Sequence, residues 1–319
     1  MNKTNHLSFL PFDQEQLDAY LSKREGETKL GERIQFEITD KTDSIILGIS
    51  EDIGPRANHG NGGATAAFDA FLGKFLNMQS NQFLSGESIS ILGSIHASST
   101  SGDIETLRKR VAELDDLVIG TLSQIDFSNK QLIVIGGGHN NAYPIIKALS
   151  EHKSLHILNI DPHADCRPLE GRHSGNPFST AILEKLIASY SVFGLHEQYN
   201  SSAIYDFLEK HDCSATFYEN YLDGNDLNDD IEAFLQEKGD AFGVEIDLDS
   251  IEGMPTSAFT PSGFSLQEIR QALRKLSKSR PIYLHLPEGA PTSKHEKSIV
   301  GKALAYLVSD FIKSSKLPR

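Results

Sequence analysis

Eight short runs rich in β-branched and aliphatic residues recur along the chain, at 44–49, 88–95, 131–135, 154–160, 189–194, 215–218, 241–246 and 281–286. Between several of them lie longer segments with apolar residues at helical spacing, at 104–122, 202–211, 265–276 and 294–313. A near-continuous apolar run is what a strand buried on both faces requires. Strand–helix alternation over this length therefore predicts an α/β protein of three layers, α/β/α, around a mostly parallel sheet.

The sheet also fixes where chemistry is to be sought, because loops converge beyond the carboxyl ends of parallel strands. Three runs end in conspicuous loops. The run 131–135 leads into three glycines and His139, the run 154–160 into Asp161-Pro-His-Ala-Asp165, and the run 241–246 into Asp247-Leu-Asp249. In an extended segment, alternate side chains point to one side, so Asp161, His163 and Asp165 are expected to share a site, and Asp247 with Asp249 likewise. The glycines before His139 allow a sharp turn and close backbone approach. They lack the Lys-Ser/Thr sequel of a phosphate-binding loop and the spacing of a dinucleotide fingerprint.

Four carboxylates and two imidazoles without a thiolate form an oxygen–nitrogen donor set that suits Mn²⁺ better than structural zinc, while zinc, iron, nickel and cobalt also accept such donors. Four Asp side chains packed together repel one another, and about +4 of bound charge would relieve them. His139, Asp161, His163, Asp165, Asp247 and Asp249 are therefore the expected ligands of two divalent cations.

Composition narrows the setting. The 319 residues suffice for one large domain, 1–319, with 1–43 as an N-terminal extension packed on it. Acidic residues outnumber basic ones 44 to 30, and the formal net charge of −14, with no basic cluster, argues against nucleic acid as a partner. No apolar run approaches the roughly 18 residues that suggest a membrane span. Two cysteines, Cys166 and Cys213, are too few for a disulfide framework, and residues 1–5 do not open a signal-peptide core, so a cytoplasmic location is expected. Cys166 has no paired base and is read as a small buried filler.

The three loops resemble the metal motifs of the ureohydrolase superfamily of arginases, agmatinases, guanidino-acid hydrolases and formimidoylglutamases, in the same order and over nearly the whole chain from about Ser44. The resemblance implies an eight-stranded, mostly parallel sheet, two Mn²⁺ per chain, a small amidine or guanidino substrate, and a homo-oligomer. It implies that His139 and Asp165 serve one metal, with Asp249 completing that set, that His163 serves the other, and that Asp161 and Asp247 bridge. A metal-bridging hydroxide would attack the planar carbon, with Asp165 moving its proton toward the leaving amine. Glu288, in Glu288-Gly-Ala-Pro291, resembles the family's carboxylate that holds the substrate's planar cation.

Members of the superfamily differ mainly in the loop after the Asp-x-His-x-Asp motif, here residues 166–178. Ser174-Gly-Asn-Pro-Phe178 is similar to the Ser-Gly-Thr-Pro-Phe of formimidoylglutamases, and Phe178 stands where arginases carry a proton-transferring His. The triple glycine before His139 also resembles formimidoylglutamases, whereas arginases and agmatinases usually have Asp at its third position. Arg167 and Arg172 are candidates for binding the carboxylates of a glutamate-derived substrate, with Ser174, Asn176 and Phe178 also expected at the substrate. Arg56, Asn58 and His59 are further candidates at the rim.

The resemblance implies hydrolysis of N-formimidoyl-L-glutamate to L-glutamate and formamide, a step of histidine degradation. Asn140, Pro162 and Glu245 depart from the common pattern. If His173 were a proton carrier, arginine or another guanidino acid, releasing urea, would be the alternative. A metal-binding relative without turnover is the non-enzyme alternative. A single-zinc deacetylase would need a His-rich signature that this chain lacks.

Overall fold

The computed structural model describes residues 6–98, 101–150, 154–239 and 241–315; residues 1–5, where the signal-peptide reading fell, lie outside them. Its centre is one nine-stranded sheet: β1 (Leu7–Pro11), β2 (Ser44–Ser50), β3 (Ile89–Ala97), β4 (Gln131–Ile135), β5 (Leu155–Ile160), β6 (Ile187–Leu195), β7 (Ser214–Phe217), β8 (Phe242–Ile246) and β9 (Tyr283–Leu286). The order across the sheet is β1-β3-β2-β4-β9-β8-β5-β6-β7. Only β1 runs antiparallel, against β3; the remaining pairs are parallel.

The expected eight strands are all present, and the ninth is the correction. β1 lies within the segment read as a packed extension. It is a five-residue edge strand ending at Pro11, half exposed along its length. Such a strand has little periodic signal, and its position at the sheet edge is where a proline is tolerated.

Pleating divides the apolar residues between two cores. Ile133, Ile135, Leu158, Ile160, Val244, Ile246, Leu284 and Leu286 face one core, covered chiefly by the helices Ala67–Phe75, Leu266–Ser277 and Lys294–Ser315. The alternate residues Leu132, Val134, Leu155, Ile157 and Tyr283 face the other, covered by Ile104–Leu122, Ala142–Leu149 and Pro177–Leu183. This is the expected three-layer arrangement.

Strands β4 and β5 are consecutive in sequence but are separated in the sheet by β9 and β8. The loops beyond β4, β9, β8 and β5 therefore stand side by side at the centre of one sheet edge, which is where the candidate residues lie.

Candidate metal centre

The turn beyond β4 uses all three glycines. Gly136 and Gly137 have φ of +85° and +72°, in the left-handed region. Gly138 has ordinary φ, but a Cβ there would sit 2.3 Å from the Pro55 ring. An Asp at this third position, the usual residue in arginases and agmatinases, would collide with that loop. Glu51 cements the approach: its carboxylate accepts hydrogen bonds from Gly138 N (2.8 Å), Asn141 Nδ2 (2.7 Å) and Ile53 N (2.6 Å).

The turn delivers His139 fully buried. Its Nδ1 lies 3.1 Å from Asp161 Oδ2, 3.0 Å from Asp165 Oδ2 and 2.9 Å from Asp247 Oδ2. Neighbouring donors on a small octahedral dication, with bonds of about 2.1 Å, are spaced about 3 Å apart. The four atoms thus fit a cation.

The two Asp-rich loops share a local device. Asp161 Oδ1 accepts from His163 N, and Asp247 Oδ1 accepts from Asp249 N, both at 2.7 Å. Each bond holds a strand-end Asp in place and carries the chain to the next donor two residues on. Asn159 Nδ2 donates to Asp161 Oδ2 at 3.0 Å, fixing the other oxygen. Asp165 has φ of +48°, an uncommon backbone conformation for a side chain of its type.

His163 and Asp249 stand apart from the His139 group, with His163 Nδ1 3.5 Å from Asp161 Oδ1 and 3.9 Å from Asp249 Oδ2. The expectation that Asp249 belongs with His139 and Asp165 is therefore corrected. Among the described residues Asp249 pairs with His163, because the short helical turn Leu248–Ser250 swings it past the first group. The donors fall into two sets, His139–Asp165 and His163–Asp249, with Asp161 and Asp247 between them.

Electrostatics shows a group short of positive charge. Burial would depress the His139 imidazole, but contact with Asp161, Asp165, Asp247 and Glu245 pushes it well above its usual range. Burial, Asp249 and Asp161 push Asp247 well up. Asp249 rises to about 6, chiefly through burial. Burial also opposes charge on His163, yet Asp161 and its acidic neighbours raise it to about 10. Carboxylates that hold protons and imidazoles that become cations are the response of a buried anionic cluster, and bound dications would replace those protons.

A cleft opens over these groups, lined by His163, Asp165, Asp247, Asp249 and Glu288. Glu288 has φ of +66°. One of its oxygens accepts from His139 N at 2.7 Å and the other from the Ser257 hydroxyl. Burial, with Asp249 nearby, raises its carboxyl to about 8.

The loop 166–178 divides in a way that residue types did not reveal. Arg167 and Ser174 line the cleft, as does Asn58 beside Ser174. Arg167 is half exposed, and its one ion-pair contact among the described residues is Glu170 at 3.9 Å.

Arg172, His173, Asn176 and Phe178 are not among the residues that line the cleft. Arg172 donates to Asp115 Oδ2 (2.8 Å), Asn176 Oδ1 (2.7 Å) and the Asn140 carbonyl (2.9 Å), and lies over the Tyr143 ring. Asn176 also donates to the Gly171 carbonyl (2.7 Å), so it knots the loop internally. Phe178 is fully buried, edge-on to His139 and stacked on Tyr190.

His173 is buried, and its Nδ1 accepts from Gly175 N at 3.1 Å, which leaves the proton on Nε2, 3.3 Å from Glu170. Burial, reinforced by Arg108, holds its pKa down to about 4. It is no proton carrier near neutrality. Arg56 is held by Asp52 through two hydrogen bonds, and Cys166 is buried with its thiol pushed well up by burial, as expected of a filler.

Sequence reading missed two groups. His163 stacks on Tyr199, which stacks on His196, giving the ligand a row of rings at the cleft mouth. Ser257 comes from a polar loop with no motif. Glu245, noted only as a departure, is buried below His139.

The Arginase family model matches residues 42–313. A formimidoylglutamase of Macrococcus caseolyticus is 29% identical over 266 residues, 80% of this chain and 80% of that protein. Among solved structures, formimidoylglutamase from Bacillus subtilis superposes with a TM-score of 0.78 at 19% identity, over 93% of this chain and 95% of that one. Formiminoglutamase from Trypanosoma cruzi, with Mn²⁺, superposes at 0.73 and 20% identity, over 92% and 100%. The structural likenesses establish the fold. With the family match covering most of the chain, from β2 to the final helix, the protein belongs to the arginase family.

Proposed function

We propose that the protein is a hydrolase with two Mn²⁺ per chain that cleaves a linear amidine, N-formimidoyl-L-glutamate, to L-glutamate and formamide. The observation that carries this reading is the cluster of six cation donors, of which His163, Asp165, Asp247 and Asp249 line one cleft with the Glu288 carboxylate and the half-exposed Arg167. A relative named formimidoylglutamase supports the substrate, and a structural neighbour named formiminoglutamase, with Mn²⁺, supports the metal.

When bound, the two cations lower the pKa of a water molecule toward neutrality, which makes hydroxide available at working pH. The chain's own residues supply the rest. Glu288 keeps lone pairs toward the cleft beyond those taken by His139 N and Ser257, and a planar amidinium matches a carboxylate edge-on. Arg167 binds a substrate carboxylate through its guanidinium fork. Ser174 and Asn58 close the same wall.

The water oxygen bonds to the amidine carbon, and the bond from that carbon to the glutamate nitrogen breaks. Asp165, at the cleft floor, takes the water's proton and returns it to the departing amine. Formamide keeps the original terminal nitrogen and the water oxygen.

A urea-releasing reading would have drawn on His173 as proton carrier, and its burial and neutral state remove that support. We place the protein in the cytoplasm, a location that two free cysteines support, and as a homo-oligomer, which analytical ultracentrifugation would check. No helix among the described residues is long and apolar enough to cross a membrane. The test of function is a substrate panel on Mn²⁺-loaded protein, assayed for formamide and urea. Formamide from formimidoylglutamate is expected; urea from a guanidino acid without formamide would overturn the proposal, as would two bound metals with no turnover.

A further inference from the structure

Beneath the cation donors lies a second polar group that the proposed chemistry does not use. Glu245 in β8 pairs in register with His285 in β9, and Gly243 pairs with Tyr283. Glu245, Tyr283 and His285 are all fully buried. Tyr283 donates to Glu245 Oε1 at 2.7 Å, and His285 Nδ1 lies 2.6 Å from Glu245 Oε2. The same Oε2 is 3.5 Å from His139 Nε2.

The arrangement is built by the strands. A Cβ at position 243 would lie 2.0 Å from the Tyr283 ring, so the glycine opens the slot through which the phenol reaches Glu245. By the alternation of β8, Glu245 points to the same face as Asp247, one layer deeper. Asn159 takes the corresponding place in β5, opposite Glu245, where it holds Asp161. A carboxylate and an imidazole buried here are costly compared with apolar residues of the same volume, so they call for a role other than packing.

His139 supplies that role. Its two ring nitrogens face different partners: Nδ1 meets the three Asp oxygens at 2.9–3.1 Å, and Nε2 faces Glu245. An imidazole that gives one nitrogen to a cation must carry its proton on the other, and an acceptor beyond that proton fixes both tautomer and ring plane. Phe178, edge-on to the ring at 5.1 Å between centroids, limits rotation on another side.

We propose that Glu245, held by Tyr283 and His285, is a positioning residue that keeps the His139 proton on Nε2 and aims Nδ1 at the cation shared with Asp161, Asp165 and Asp247. The inference rests on the reading of this cluster as a metal centre. It assigns the effect to one cation of the two, because His163 and Asp249 make no contact with Glu245. A charged acceptor also makes the imidazole a stronger donor to the cation than a neutral acceptor would.

The test is titration of metal-free, full-length protein with Mn²⁺, free ion counted by its electron paramagnetic resonance signal, for the unaltered chain, Glu245→Gln, Glu245→Asp and Tyr283→Phe. The unaltered chain is expected to take up two ions. Glu245→Gln should weaken one of them by about 10- to 100-fold and leave the other unchanged, with kcat reduced and KM little altered at limiting Mn²⁺. Glu245→Asp should recover part of the affinity, and Tyr283→Phe, which keeps the carboxylate, should cost only a few-fold. Unfolding temperatures of the metal-free forms separate loss of fold from loss of affinity, and Tyr283→Phe gives a readout if Glu245→Gln fails to fold.

Equal affinity of both ions for Glu245→Gln and the unaltered chain would overturn the inference while leaving the proposed hydrolase intact. Uptake of a third ion that Glu245→Gln abolishes would also overturn it, by making Glu245 and His285 ligands themselves. No uptake by the unaltered chain would defeat the metal reading as a whole.

Discussion

The loops beyond β5 and β8 and the loop 166–178 are similarly rich in polar and charged residues, yet they behave differently. In the former, His163, Asp165, Asp247 and Asp249 line the cleft, and Asp161, fully buried, meets His139 behind them. In the latter, of Arg167, Arg172, His173, Ser174, Asn176 and Phe178, only Arg167 and Ser174 line it. Residues at a strand end inherit the strand's pleat, so their direction follows from position. Residues in a long loop turn toward whatever satisfies them, and Arg172 and Asn176 find those partners within the protein. A charged residue near a site is thus as apt to hold the loop in shape as to touch a ligand.

Substitutions can break that contrast or sharpen it. The largest effect is expected at Asp247, which lies between the two donor sets: Asp247→Asn should lower kcat by about 10³-fold or more, since the cations' contribution is several kcal/mol, with little loss of unfolding temperature in the metal-free form. Arg172→Met should do the reverse. It leaves Asp115 buried without its cation, which costs about 3–5 kcal/mol of stability; thermal unfolding should register that, while KM of the folded fraction stays near its starting value. A large KM increase with normal stability would return Arg172 to the substrate.

Arg167→Ala should raise KM for formimidoylglutamate by about 10- to 100-fold, the loss of one bidentate carboxylate contact, with no change in unfolding temperature. Phe178→His should not confer urea release from arginine, because the new imidazole would stand behind His139 rather than in the cleft; urea from arginine would show that this position does select the substrate.

The smallest effect concerns His173. Its folded pKa of about 4 lies below the ordinary 6.5 of the unfolded chain, so the unfolded state binds more protons between those values. Stability from the neutral ring is fully present above about pH 6.5 and is lost as pH falls through 4. His173→Asn should flatten the rise of unfolding temperature between pH 4 and 6.5, and should leave the pH dependence of kcat unchanged.

Much of this architecture was legible in the chain. The eight runs correspond to β2 through β9, because most are β-branched or aliphatic segments buried on both faces, the edge strand β7 being the exception, and the three motifs at their ends mark the donors. β1 escaped because a short half-exposed edge strand takes its form from the neighbour it pairs with. Asp249 was assigned to the wrong donor set because one turn of helix, invisible in the residue types, redirects it. Ser257 carried no signal at all. Glu245 did carry one: a charged residue within Phe242-Gly-Val-Glu-Ile246, a strand otherwise without polar side chains, is informative by its burial alone.

The central claim is that the strand-end residues hold two cations, and anomalous diffraction at the manganese edge from Mn²⁺-loaded crystals tests it most directly. Two peaks per chain are predicted, one among His139, Asp161, Asp165 and Asp247 and one beside His163 and Asp249. A single peak, or none at these residues, would contradict the account.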